Sequence, residues 1–215
     1  MKDISCFLVG LIALAGPPIL VHLWHKKTGA RYFPALAAFL VCFPVFIVAG
    51  FIRTGFSRSD MLSFYLQQGI LYGIFEEGAK FLVLRYLLTS YDSRRDAVTY
   101  GIGHSAFETF GTGMTCLGLI GTGRAAPDLL PVNLWAYAEG TLFCIALTVL
   151  IFYGICTEKS RIMLPTAMFI HFIFNAGSAI IGKSILSISL RSLLTAGLCF
   201  AAYRCWNAMF TQYDE

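Results

Sequence analysis

Seven polar residues of this chain stand in otherwise apolar surroundings: Glu76, Glu77, Lys80, His104, Glu108, His171 and Asn175. A carboxylate beside a histidine can hold and deprotonate a water molecule. A second histidine with an amide can donate hydrogen bonds to a developing oxyanion. Together these parts suffice to hydrolyse an amide without a covalent intermediate. Their spacing supports grouping. Lys80 lies three residues after Glu77 and four after Glu76, so on a helix it reaches either carboxylate. His104 and Glu108, and likewise His171 and Asn175, are four apart and share a helix face.

The elements that must carry them are membrane helices. The 215 residues are 57% hydrophobic and only 13% charged, with a mean hydropathy of +0.71. Soluble domains have about 25% charged residues, so a particle of this composition is solvated by lipid. Backbone groups in hydrocarbon must pair internally, and long unbroken apolar runs select helices over a barrel. The expected fold is all-α, a polytopic transmembrane bundle of about seven helices within one membrane domain, residues 1–215. The helices are expected at Ile4–Leu23, Tyr32–Ile52, Met61–Leu88, Ala97–Ile120, Leu134–Cys156, Met163–Ile181 and Ile185–Trp206, joined by loops of which Gly121–Asn133 is the longest. The first is read as a retained helix, not a cleaved signal.

The basic residues His25-Lys26-Lys27, Arg31, Arg94-Arg95, Lys159, Arg161 and Arg204 fall in alternate connections, which places those ends in the cytoplasm and the N-terminus outside. Lys2, Arg53, Arg58, Arg124 and Lys183 fall on the opposite side. A net charge of +4 distributed this way orients helices and does not point to nucleic acid. The expected location is a bacterial cell membrane, crossed several times.

At about 1.5 Å rise per residue, Glu76 lies roughly 18 Å from the cytoplasmic end of its helix, and His104 and His171 roughly 10–12 Å from theirs. Helix tilt covers that difference, so three helices can present polar groups at one level. An intramembrane carboxylate costs about 2.5–3.5 kcal/mol on the insertion scale and is a functional candidate for that reason. Glu139 falls only a few residues into its helix and is read as structural or interfacial. His22 and His25 are read as membrane-edge residues, Gly69 and Gly73 as close-packing positions, and the seven cysteines as reduced packing residues.

Three motifs resemble a known family. Glu76-Glu77-Gly78-Ala79-Lys80 resembles the EExxK motif of the PrsW-like branch of the CAAX-protease and bacteriocin-processing superfamily. Tyr100 to His104 is similar to its aromatic-xxx-His motif, and His171 to Asn175 to its HxxxN motif. The segment Tyr100–Glu108, YGIGHSAFE, resembles more closely the GxGHGGxE segment of the YhfC family of intramembrane proteases. The motif region runs from residue 75 to 175. The resemblance implies a glutamate-type intramembrane endopeptidase acting on a membrane-associated peptide or protein. In it, Glu76 is the general base and His104 its partner on the water. His171 and Asn175 form the oxyanion hole, and Glu77 is structural or tunes Glu76, pairing with Lys80. Phe81 stands where the CAAX branch has arginine, and Ser105-Ala106 where the YhfC segment has two glycines.

The expected chemistry is metal-free. Zinc is the alternative, with Glu76, His104, Glu108 and His171 as ligands, since three protein ligands and an open position make a catalytic zinc site. Two non-proteolytic readings stand beside these: an immunity or scaffolding protein of the same fold, and a proton-coupled transporter using Glu76, Lys80 and Glu108 as a relay.

Overall fold

The computed structural model describes residues 2–122, 130–182 and 184–213. Among these residues all regular structure is helical. The α-helices are α1 (Lys2–Thr28), α2 (Phe33–Thr54), α3 (Met61–Leu82), α4 (Arg94–Gly121), α5 (Leu130–Cys156), α6 (Ser160–Ile181) and α7 (Ile185–Tyr213). The all-α bundle expected from composition is therefore the fold. Arg124, Lys183 and most of the loop after α4 lie outside the described residues, as does the side chain of Lys2.

Two boundaries differ instructively from expectation. Helix α1 runs through Pro17-Pro18 and on to Thr28, not stopping at Leu23. Each proline removes one intrahelical hydrogen bond, which the helix absorbs. Basic residues His25, Lys26 and Lys27 then occupy the last turn, where the helix dipole favours them. The third helix ends in a π-helical turn, Val83–Leu87, closed by the Leu88 amide donating to the Val83 carbonyl at 2.8 Å. The extra residue per turn carries Val83 and Leu84 into the core. Elsewhere, local chemistry sets the starts. Asp60 caps α3 by accepting from the Leu62 amide, Ser93 caps α4 by accepting from Arg95, and Pro34 sits in the first turn of α2.

Five helices are long and apolar enough to cross a bilayer by themselves: α1, α2, α5, α6 and α7. The other two, α3 and α4, carry Glu76, Glu77, Lys80, His104 and Glu108. Their polarity is the load of the candidate site. Large apolar side chains such as Ile47, Phe51, Leu193 and Phe200 point outward, as a lipid-facing surface requires. The molecule is a multi-pass membrane protein.

Helix α5 forms the centre of the core through Phe143, Leu147, Leu150 and Ile151, with Tyr100 of α4 and Leu198 and Ala202 of α7 packed around it. Helix α4 packs on α1, α2 and α5, and α3 packs on α6. Two glycine contacts bring these backbones close. A side chain at Gly103 would sit 2.2 Å from the Ala35 carbonyl oxygen on α2, and one at Gly73 would sit 2.8 Å from the Met168 carbonyl oxygen on α6. Only glycine allows both approaches.

At one end, the α1–α2 connection is tied to the start of α4. The Arg31 backbone amide and Nε each donate to the buried Asp96 carboxylate at 2.8 Å, and Nη2 donates to it as well. This hydrogen bonding raises the Arg31 guanidinium further above its usual range. Trp24 Nε1 donates to the Arg95 carbonyl, and Arg94 donates to the Trp206 carbonyl and lies over its ring. The end of α1, the start of α4 and the Trp206 region of α7 thus meet on one side.

Candidate active site

The functional side chains come from helices distant in sequence. Glu76 and Glu77 follow each other on α3 and, at 100° per residue, diverge around the axis. Glu76 turns toward α4, while Glu77 turns toward α6. Glu76 Oε2 lies 3.2 Å from His104 Nε2 and 3.8 Å from His171 Nε2. Glu77 Oε1 lies 2.7 Å from His171 Nδ1. Lys80 Nζ donates to both oxygens of Glu77 at 2.9 Å. All five side chains are almost wholly buried, the backbone-level contacts at Gly73 and Gly103 having closed the helices around them.

These distances fix proton positions. A carboxylate clamped by an ammonium accepts, so His171 Nδ1 carries the proton it shares with Glu77. His171 Nε2 then presents a lone pair toward Glu76 when the ring is neutral, and an N–H when it is protonated. Phe143 meets the His171 ring edge-on at 5.6 Å and stacks on Phe174 at 4.0 Å, which holds the imidazole plane. His104 is held from both sides: Nε2 faces Glu76, and Nδ1 lies 3.3 Å from Cys42 Sγ on α2.

Glu108 sits one turn beyond His104 with its Oε1 3.9 Å from His104 Nε2, and its side chain is 38% exposed. That exposure faces a polar cavity of 180 Å³ lined by Ser105, Thr112 and Gly140. Thr109, Tyr137 and Thr141 line both this cavity and a larger apolar groove of 640 Å³ between α1, α4 and α5. The groove and the cavity beside Glu108 thus adjoin at these three residues. Asn175 lies one turn past His171 and is half-buried. It makes no hydrogen bond with the described residues, so its amide is available to a bound group.

Three residues escaped the sequence reading. Cys42 and Cys144 do more than pack: Cys144 Sγ donates to Glu108 Oε1 at 3.7 Å. Both cysteines lie mid-helix, at the depth where the site was expected, and that coincidence was the available signal. The third is Arg191, an intramembrane charge near the start of α7. Its Nη2 lies 2.7 Å from the buried Glu139 carboxylate, and Ser192 Oγ donates to Glu139 at 3.0 Å. No disulfide links cysteines among the described residues.

The described residues bring the buried polar groups of α3, α4 and α6 together inside a membrane bundle, and one comparison with known proteins bears on them. Residues 33–121 match the model of the family described as YhfC intramembrane metalloprotease. The YhfC match runs from α2 to the end of α4, and so includes the Glu76-Glu77 and His104 motifs but not His171. It supports an intramembrane protease and bears out the YhfC resemblance of the Tyr100–Glu108 segment. No curated protein and no solved structure matches the chain. The YhfC description implies a metal, and the residues present fit one. His104, Glu108 and Cys144 bring one nitrogen, one oxygen and one sulfur within 4.8 Å of one another. Zinc takes that donor set.

Proposed function

We propose that this chain is an intramembrane endopeptidase that hydrolyses a peptide bond of a membrane-associated substrate, with Glu76 as the general base. The observation that carries this reading is the position of the Glu76 carboxylate. It is buried, it faces imidazole nitrogens of His104 and His171, and among the described residues no lysine or arginine lies within 4.0 Å of it.

Glu76, oriented by its hydrogen bond to His104, takes the proton of the attacking water as the oxygen adds to the scissile carbonyl. The oxyanion that develops is met by the Nε2 proton of imidazolium His171 and by the Asn175 amide. Glu77 and Lys80 do not touch the water. Glu77 holds His171 at Nδ1 and so directs its other nitrogen into the site, as a carboxylate behind a histidine commonly does. Glu76 then returns its proton to the departing amine. A zinc ion, held by His104, Glu108 and Cys144, would supply Lewis-acid polarisation. Glu76 remains the nearest free base in that case.

The substrate segment reaches the site through the apolar groove between α1, α4 and α5, which excludes bulk water until the scissile bond passes Thr109 and Thr141. By the charge rule, the basic residues at the end of α1 and the start of α4 support an N-terminus outside and a C-terminus in the cytoplasm. Single-cysteine labelling at the two ends of α7 tests that orientation. The mechanism is tested by cleavage of membrane-anchored peptides. Glu76→Gln and His104→Ala should each abolish turnover while the protein still inserts and purifies as a single species. If both variants keep full activity, the mechanism is wrong.

A further inference from the structure

We propose that His104, Glu108 and Cys144 form a transition-metal site, with a thiolate contributed by α5 that none of the three motifs contains. The proposal concerns metal binding and stands whether or not the endopeptidase reading holds.

The first argument is distance. Zinc binds nitrogen, oxygen and sulfur at about 2.0–2.3 Å, so tetrahedral ligands lie roughly 3.3–3.8 Å apart. Glu108 Oε1 is 3.9 Å from His104 Nε2 and 3.7 Å from Cys144 Sγ, and the three ligand atoms fall within 4.8 Å of one another. Small side-chain adjustments close the set on an ion. Of the set considered from sequence, Glu76, His104, Glu108 and His171, two residues recur here; the three ligand atoms gathered within 4.8 Å of one another among the described residues are those of His104, Glu108 and Cys144.

The second argument is charge. Lys80 is spent on Glu77, to which it donates twice. Glu76 and Glu108 flank His104 with no lysine or arginine among the described residues within 4.0 Å of either. Two carboxylates around one imidazole, at membrane depth, make a donor-rich setting that favours a bound cation.

The third is construction. The α4–α5 spacing at this level is set by Gly101, where a side chain would come within 2.6 Å of the Ile145 Cα. Ile145 is the neighbour of Cys144, and Gly101 lies three residues before His104, so the closest approach of the two helices brings these ligands together. Behind His104, Cys42 Sγ sits 3.3 Å from Nδ1 and fixes the ring, leaving Nε2 for the ion. A cavity of 180 Å³ adjoins Glu108, the most exposed of the three ligands. On binding, the Cys144 thiol releases its proton to solvent and the sulfur becomes the donor.

The test uses the purified full chain in detergent, stripped with a chelator and titrated with cobalt(II) alone. The proposal predicts one ion per chain and a near-ultraviolet thiolate-to-cobalt charge-transfer band. Cys144→Ser should abolish that band, whereas Cys42→Ser should keep it. Zinc-loaded wild type examined by X-ray absorption, which needs no variant, should show one sulfur at about 2.3 Å. A band that survives in Cys144→Ser, a shell of nitrogen and oxygen only, or no stoichiometric binding overturns the proposal. Peptide cleavage by protein that shows no thiolate band would uphold the protease reading and overturn the site, so the two fail separately.

Discussion

Two carboxylates are buried at similar completeness in this bundle, Glu76 and Glu139, and their neighbours separate them. Glu139 on α5 is met by the Arg191 guanidinium at 2.7 Å and the Ser192 hydroxyl at 3.0 Å, both on α7. Trp135 donates to the same hydroxyl, and Arg191 lies over the Phe174 ring. This pair is a fastener between two helices: its charge is neutralised by a permanently charged partner. Glu76 instead meets the imidazoles of His104 and His171, with no lysine or arginine among the described residues within 4.0 Å. A buried carboxylate with a fixed cation holds a structure together, whereas one facing titratable rings is set up to move a proton. Glu77 belongs to the first kind, and through His171 it serves the second.

The comparison yields tests of decreasing size. Glu76→Gln keeps the shape and removes the base. Cleavage should fall by at least about 10²–10⁴, the usual contribution of a positioned acid–base group, with the thermal midpoint in detergent unchanged. Lys80→Ala should do the opposite, leaving Glu77 buried without its cation. Such a removal costs about 3–5 kcal/mol, measurable as a large drop in midpoint. The paired change Lys80→Met with Glu77→Leu should recover much of that stability without restoring cleavage, because His171 loses its anchor.

Glu139→Gln should cost about 1.5–3 kcal/mol, the worth of a hydrogen bond to a charged group, while turnover stays near wild type. A Glu139→Gln variant as inactive as Glu76→Gln would erase the distinction between the two carboxylates. The smallest contrast is between glycines adjoining the two regions. Gly103→Ala forces a side chain to within 2.2 Å of the Ala35 carbonyl and should cost about 1–3 kcal/mol together with activity. At Gly140, next to Glu139, nothing lies within 4 Å, so Gly140→Ala should raise stability by roughly 0.5–1 kcal/mol. Thermal melts of the two variants side by side decide it.

The fold was legible because lipid leaves few choices. Composition demanded helices, and apolar runs of the right length marked each one. What stayed hidden depended on geometry at single residues. The expected end of α1 at Leu23 left out the basic residues His25, Lys26 and Lys27, which the helix carries in its last turn up to Thr28. The π turn at Val83–Leu87 has no sequence mark that periodicity detects. In the site, the i, i+4 pattern grouped His104 with Glu108 correctly as neighbours. It did not reveal that Lys80 serves Glu77 alone, since both carboxylates were within reach by spacing. Which one it meets depends on the α3–α6 contact at Gly73. Cys42 and Cys144 were invisible because cysteine in an apolar run reads as packing, and only the tertiary approach of α2 and α5 to α4 brings their sulfurs to His104 and Glu108. Arg191 was overlooked beside the apolar residues of α7, although its charge alone called for a buried partner.

The most direct test of the account is a cleavage assay with purified protein against a pool of membrane-anchored peptides, comparing wild type with Glu76→Gln at equal folding. The account predicts products from the wild type and none from the variant. Cleavage by Glu76→Gln at the wild-type rate would contradict it.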